Sequence, residues 1–326
     1  MPEASCLSSL SVIIPTYNRR EVLVRAIEGY LAQSSPRLIH ELLVIDDGST
    51  DGTESMVREF TKRSLFPIRY LQQPNKGPAA ARNLGIREAR SALVLFSDSD
   101  IVPERNLVEQ HIECHRRNPQ PPAAVLGHVT WSPEIEATPF MRWYGDNKLF
   151  HFNRLQNNQE APFQFFYTCN LSLKTEFLRT CGQFDEEFKS AAFEDIELGY
   201  RLSKQGLQLF YNSEAIGYHH QFFSFEGACR KFLGNIPAGQ VFLRKEAGQH
   251  YAKQTEKGGP RPGHALATGF AGMAAAILSP ARRLLDSSIP LPGIVYHLFF
   301  WDCKRQLLKQ GKATVGRNED RHTVLP

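Results

Sequence analysis

The chain has no Cys-x-x-Cys pair; its six cysteines, Cys6, Cys114, Cys169, Cys181, Cys229 and Cys303, stand far apart. That excludes a zinc ribbon and a disulfide-built scaffold, and fits a reducing compartment. No strand-like run leads into Gly-x-Gly-x-x-Gly, and no Gly-x-x-x-x-Gly-Lys-Ser/Thr occurs, so neither a dinucleotide-dependent dehydrogenase nor a P-loop NTPase is expected. An excess of one charge is also missing: 38 basic residues against 34 acidic give +4, so no nucleic-acid partner is expected. The start of the chain carries Glu3 and soon reaches Thr16 and Asn18, without a basic segment followed by a hydrophobic core. No export signal is expected there, and the chain is placed in the cytoplasm. No apolar run reaches the roughly 18–20 residues of a spanning helix. The nearest are Ala265 to Leu278 and Ile289 to Trp301, separated by Arg282, Arg283 and Asp286. They read as packed helices or, helped by Lys304, Arg305, Lys309 and Lys312, as a peripheral contact with the cytoplasmic face of a membrane.

A 326-residue chain that is 42% hydrophobic and 11% aromatic has enough apolar surface for a large core. Short β-branched runs alternate with amphipathic stretches, the pattern of an α/β domain with a mostly parallel sheet flanked by helices. Strands are predicted over Leu10 to Ile14, Leu42 to Ile45, Ile68 to Leu71 and Ala92 to Phe96. Helices are predicted around Leu23 to Leu31, from Thr50 or Asp51, and over Pro78 to Arg90. After Pro119 the texture turns to proline, aromatics and Gln156-Asn157-Asn158-Gln159, as in a mobile or acceptor-facing region. A helix from Glu194 to Gln205, strands at Leu209 to Tyr211 and Ala215 to Tyr218, and a helical Phe225 to Gln249 follow. The expected division is a catalytic domain over 1–225, with halves at about 8–103 and 120–225, and a C-terminal helical appendage over 226–326.

Polar residues cluster just beyond the strand ends, where open α/β sheets bind ligands. Asp98-Ser99-Asp100 follows a buried strand, and two carboxylates one residue apart suit a hard divalent cation with room left for phosphate oxygens. A capped turn explains the same triplet. In Val44-Ile45-Asp46-Asp47-Gly48-Ser49-Thr50-Asp51, an Asp-Gly turn and a helix cap account for Gly48 and Asp51 better than for adjacent Asp46 and Asp47. A carboxylate there also suits the imide N–H of a uracil base. Asn75-Lys76-Gly77-Pro78-Ala79-Ala80-Ala81-Arg82-Asn83 enters a helix, with Gly77 allowing close backbone approach and Arg82 in reach of a carboxylate or a nucleotide. In Phe193-Glu194-Asp195-Ile196-Glu197-Leu198, carboxylates open a helix whose positive end favours their charged form, and one is a candidate general base. His219 and His220 follow an apolar strand, where a neutral imidazole suits a metal shell or a diphosphate.

These motifs in this order, opened by Ser11-Val12-Ile13-Ile14-Pro15-Thr16-Tyr17-Asn18, resemble family 2 glycosyltransferases of the GT-A fold, from about Leu10 to His220. The resemblance implies an inverting transfer of a sugar from a nucleotide-diphosphate donor, linked through UDP, GDP or dTDP, to a glycan, lipid-linked or other acceptor. It places Pro15, Thr16, Tyr17, Asn18, Asp46, Asp47, Lys76 and Arg82 near the nucleotide, with Asp98, Ser99 and Asp100 at the diphosphate. Asp98, Asp100 and His219 would hold Mn²⁺ or Mg²⁺, Asp195 would be the base with Glu194 beside it, and Asn170 of Thr168-Cys169-Asn170-Leu171-Ser172-Leu173-Lys174 would line the donor-sugar or acceptor pocket. Trp131, Trp143, Tyr144 and Phe166 serve equally as stacking faces for sugars and as core. A phosphatase of the HAD type, suggested by Asp98-Ser99-Asp100-Ile101-Val102, lacks a downstream lysine and second acidic loop in a convincing pattern. A non-catalytic nucleotide-sugar sensor would not need Asp195.

Overall fold

The structure is a computed structural model, and it describes residues 8–257 and 284–299. The first strand, β1 (Leu10–Thr16), is followed by α1 (Arg20–Leu31), β2 (Ile39–Asp46), α2 (Thr53–Thr61), β3 (Ile68–Gln72), α3 (Pro78–Glu88) and β4 (Leu93–Ser97). These strands lie in the order β3-β2-β1-β4 and are all parallel. Parallel strands bury both faces, which is why β1 and β4 read as unbroken apolar runs. Leu10, Val12 and Ile14 meet Leu23 and Ile27 of α1 and Val57 and Phe60 of α2 on one face, each such side chain contributing about 1.5–3 kcal/mol when buried. On the other face α3 comes so close that a methyl at Gly85 would stand 2.5 Å from Ile13 Cγ2.

Next come β5 (Ile101–Pro103), α4 (Leu107–Arg117), β6 (Ala123–Trp131), α5 (Pro139–Tyr144), β7 (Glu160–Ala161), β8 (Asn170–Lys174), α6 (Thr175–Cys181), α7 (Glu194–Ser203) and β9 (Gln208–His219). They extend the sheet as β4-β8-β6-β9-β5, with β7 also on β9. The parallel character expected of most of the sheet belongs to its first half. Beyond β4 the sheet is mixed, since β8 runs antiparallel to β4 and β6, β9 parallel to β6, and β5 and β7 antiparallel to β9.

The two short strands expected near residue 210 are one strand with an irregularity, the β6 ladder passing from Gly127 opposite Asn212 to His128 opposite Ile216. Asn170 fills that irregularity: its Nδ2 donates to His128 O at 3.1 Å and Ala215 O at 2.8 Å. The expected helix over Phe225 to Gln249 is three, α8 (Phe225–Gly234), α9 (Ile236–Arg244) and α10 (Glu246–Lys257). Pro237 supplies the first break, because it has no N–H to donate and its ring blocks the preceding turn.

The described residues fall into two compact units. One comprises 8–135, 150–221 and 238–250 and contains the whole sheet. The other comprises 136–149, 222–237, 251–257 and 284–299, and packs Phe140 against Tyr144, Phe225 and Tyr296. Ala265 to Leu278 and the basic residues from Lys304 onward lie outside the described residues. Residues 293–299 are helical, with Tyr296 and Phe299 buried and Ile294 exposed. Among the described residues no helix is long and apolar enough to cross a membrane.

Candidate active site

The site residues gather at the carboxyl ends of β1, β2 and β4, where strand alternation gives way to turns. Pro15 ends the apolar stretch of β1 opposite Ile45, Thr16 is buried, and Tyr17 is 48% exposed. Asn18 turns left-handed at φ 50° and staples two loops together: its N–H donates to Ser49 Oγ at 2.8 Å and its Oδ1 accepts from Thr50 N at 2.8 Å. Asp51 does not cap α2 as the first residue of a helix; its carboxylate accepts from Arg20 N and from Thr53, where α2 begins.

Adjacent Asp46 and Asp47 are both buried and both engaged by protein donors. Asp46 Oδ1 accepts from Ser49 N at 2.7 Å and Oδ2 from the Tyr70 hydroxyl, whose pKa burial and this carboxylate raise. Asp47 holds the next loop by accepting from Lys76 N (2.8 Å), Gly77 N (2.8 Å) and Gln73 Nε2 (2.7 Å). Their proximity is thus that of a brace between the β2 turn and the approach to α3. Lys76 is anchored through its backbone, and its side chain is exposed.

Gly77 and Pro78 start α3 and set Arg82 on its buried face. Its guanidinium Nη1 donates to Glu194 Oε1 at 2.8 Å and its Nη2 to Asp98 Oδ1 at 3.0 Å. The same group lies over the Phe184 ring, 5.7 Å from its centroid. Arg82 therefore joins the turn after β4 to the start of α7, its bond to Glu194 crossing 112 residues of sequence. Arg82 Nε and Glu194 Oε2 are buried without hydrogen-bond partners.

Asp195 stands beside Glu194 on the first turn of α7. Phe193, just before it, has a left-handed backbone at φ 69° and is held by stacking on Phe242 of α9, with centroids 5.1 Å apart. Asp195 Oδ1 accepts from Ile196 N at 2.8 Å. Burial first, and then the charge of Glu194, push the Asp195 carboxyl up to about 7, with Arg82 pulling the other way. Burial raises Glu194 too, against the same arginine.

Asp98, Ser99 and Asp100 form the turn between β4 and β5, with Ser99 and Asp100 buried and Asp98 more open. The pairing of Ile101 with His219, and of His220 N with Asp100 O at 2.7 Å, brings the end of β9 to this turn. His219 Nε2 consequently faces Asp100 Oδ2 across 3.9 Å. Among the described residues no three His, Cys, Asp or Glu side chains converge as a ready metal cluster. The donor chemistry still fits a divalent cation: a carboxylate oxygen and an imidazole nitrogen already face each other, and Asp98, its side chain 36% exposed, has room to turn from Arg82.

Asn170 is held within the sheet. It is 1% exposed, its Oδ1 bonds His111 Nε2 at 2.8 Å, and its Nδ2 serves the β6 and β9 carbonyls. Of the aromatics, Phe166 is core, while Trp131 is half-buried against Phe150 and His219. Sequence reasoning missed Arg19, whose guanidinium meets Asp100, and Cys169, whose thiol is raised by burial and by the charges of Asp98, Asp195 and Asp100. Cys169 lies in the Thr168-Cys169-Asn170 segment, where a lone cysteine carries no spacing signal, and Arg19 follows the Tyr17-Asn18 loop with no spacing to mark it.

The profile of glycosyl transferase family 2 matches residues 11–179. Validoxylamine A glucosyltransferase of Streptomyces hygroscopicus subsp. jinggangensis is 33% identical over 242 residues, covering 67% of this chain and 57% of that protein. Chondroitin synthase of Escherichia coli is 29% identical over 249 residues, covering 66% of this chain and 35% of that protein. The chain thus spans from about a third to just over half the length of these relatives. In fold it is similar to the mannosyltransferase PcManGT of Pyrobaculum calidifontis, solved in complex with GDP-Man and Mn²⁺, at a TM-score of 0.56 and 20% identity, over 96% of this chain and 82% of the other. The architecture is the GT-A fold, a mixed α/β sheet flanked by helices. The chain belongs to glycosyl transferase family 2.

Proposed function

We propose that this chain is an inverting glycosyltransferase that moves a sugar from a nucleoside-diphosphate donor, a UDP-sugar before a GDP- or dTDP-sugar, to a hydroxyl of a glycan, lipid-linked or other acceptor. The observation that carries the reading is Asp195: a carboxyl pushed up to about 7 at a helix start, within the electrostatic reach of Asp98 and Arg82. A general base works best when its pKa lies near the operating pH, because it is then both deprotonated and basic enough. The acceptor oxygen attacks the anomeric carbon as the bond to the diphosphate breaks and Asp195 takes the hydroxyl proton; a single displacement inverts the anomeric centre. Tyr17, exposed beyond β1, has a free face for the base, and the Asp46 and Asp47 braces fix the loops around it.

Asp98, Asp100 and His219 would hold Mn²⁺ or Mg²⁺, which when bound supplies positive charge to the departing diphosphate. The same carboxylates, with Arg82, set the charge balance around Asp195. The relatives' names are as different as a validoxylamine A glucosyltransferase and a chondroitin synthase, so they do not narrow the acceptor. Transfer assays with a nucleotide-sugar panel test the reading. Asp195→Asn is expected to lower turnover by about 10²–10⁴-fold while donor binding persists, and unchanged turnover would sink the base assignment. Excess EDTA is expected to stop transfer, and full activity in EDTA would remove the metal from the scheme.

A further inference from the structure

Arg19 sits immediately before α1, and its guanidinium reaches the Asp98-Ser99-Asp100 turn. Nη2 lies 2.9 Å from Asp100 Oδ2 and 3.1 Å from Gln221 Oε1. His219 Nε2 faces that same Asp100 oxygen. The β5 and β9 backbone pairing fixes Asp100 and His219 in place, and the Asp100 side chain is 6% exposed, whereas that of Arg19 is 37% exposed. The arginine is the partner free to leave.

We propose that Arg19 is an electrostatic lock on Asp100: it competes with a divalent cation for the carboxylate, and moves to the donor's diphosphate when cation and donor bind. The proposal rests on Asp98, Asp100 and His219 as cation ligands. A guanidinium and a dication on one oxygen of a largely buried carboxylate repel each other strongly, so the cation binds only as Arg19 departs. Whatever Arg19 gains on Asp100 is subtracted from cation affinity. A diphosphate offers the guanidinium several charged oxygens in the paired geometry it prefers, where Asp100 offers one. Nucleotide and cation then strengthen each other by the same factor, the nucleotide drawing Arg19 off Asp100 and the cation leaving Arg19 free for the diphosphate. An ordinary exposed ion pair would have no such effect, since it contributes little and breaks freely. Here the burial of Asp100 and the second contact at Gln221 make the pair more than that.

Binding of Mn²⁺ to the full chain, read from the electron paramagnetic resonance signal of the free ion, tests the lock without any turnover. Arg19→Gln is expected to bind Mn²⁺ about tenfold more tightly than the wild type when no nucleotide is present. Arg19→Lys keeps the charge and is expected to stay near the wild type. UDP is expected to tighten Mn²⁺ binding in the wild type and to do so far less in Arg19→Gln. Equal or weaker Mn²⁺ binding by Arg19→Gln overturns the lock. Asp100→Asn tells the two readings apart. If it abolishes Mn²⁺ binding while Arg19→Gln changes nothing, the lock falls and the metal site stands; if it binds Mn²⁺ like the wild type, both fall.

Discussion

Two arginines each bridge a pair of carboxylates at opposite ends of the parallel strands, and α3 contributes to both clusters. At the strand starts, Arg69 of β3 donates to Glu41 at 2.8 Å and to Glu88 at 2.6 Å. Glu41 also takes Ser11 Oγ and Arg90 N, and these donors, Arg69 foremost, hold its carboxyl below the usual range although burial would raise it. At the strand ends Arg82 binds Glu194 and Asp98 with the same chemistry, yet Arg82 Nε and Glu194 Oε2 are left without partners and the carboxyl of Asp195 is pushed up. A buried polar group without a partner costs about 1–3 kcal/mol. A completed cluster is what stability alone produces; an incomplete one beside a poised carboxyl is what a ligand site requires.

Removing each arginine sharpens this contrast. Arg82→Met strands Glu194 and Asp98, and both a loss of about 3–5 kcal/mol in stability and a fall of at least about 10²-fold in transfer by the protein still folded are expected. Arg69→Met is expected to destabilise by about 3 kcal/mol, its cluster being partly open to water, while kcat/KM of the folded fraction stays within about twofold. Urea unfolding and steady-state kinetics on the same preparations measure both quantities. Transfer lost with Arg69 as completely as with Arg82 would erase the distinction between the two ends.

The sequence displayed the strand-end half of this contrast well and the other half hardly at all. Asp46-Asp47 and Asp98-Ser99-Asp100 were visible because short motifs follow apolar runs that mark a strand end, and Glu194-Asp195 because carboxylates open a helical stretch. That Arg82 spans Asp98 and Glu194 was not visible, since the partners are 16 and 112 residues away and only the packing of α3 selects them. That Asp47 braces the approach to α3 was not visible either, because loop closure between β2 and α3 is a property of the folded chain. Nor were the bonds of Asn170 visible: an irregular ladder in β6 and β9 creates carbonyls that need a donor, and no local pattern announces them. The parallel half of the sheet was legible from continuous apolar strands, while the mixed half alternates with short, aromatic segments that carry no clear period.

Acidity distinguishes the clusters more gently, with opposite signs. Glu41 has a folded pKa below its ordinary 4.5, so its contribution to stability is present above that value and is lost as pH falls through the depressed one. Glu41→Gln is therefore expected to melt lower than the wild type at neutral pH, with the gap closing in acid. For Asp195, raised from 3.8 to about 7, folding favours the protonated form. Its contribution is full below pH 3.8 and declines as pH rises to about 7, leaving a constant penalty above. Asp195→Asn should gain on the wild type across that interval and then run parallel to it. With Asp195 as the proposed base, wild-type kcat/KM should rise with pH to a plateau above about 7 as that carboxyl loses its proton. Melting curves at pH 3–9 that moved together for both variants would break the comparison.

The smallest effect expected lies at Gly77, where the brace from Asp47 meets the segment leading to the proposed base. Gly77 has φ 95°, a conformation that side-chain-bearing residues rarely adopt, and a methyl there would stand 2.9 Å from Lys189 O. Gly77→Ala thus carries a backbone penalty and a displacement of Lys189, about 1–3 kcal/mol together. If the strand-end cluster is organised from both sides, the displacement passes along 189–193 to Phe193, whose stacking on Phe242 sets the start of α7. The variant should then lose kcat beyond what its unfolded fraction explains, with little change in donor affinity, since the Asp47 carboxylate keeps its other donors. A loss confined to melting temperature would mean that Gly77 serves the fold alone, and that the base is held by Arg82 and α9 without help from the β2 turn.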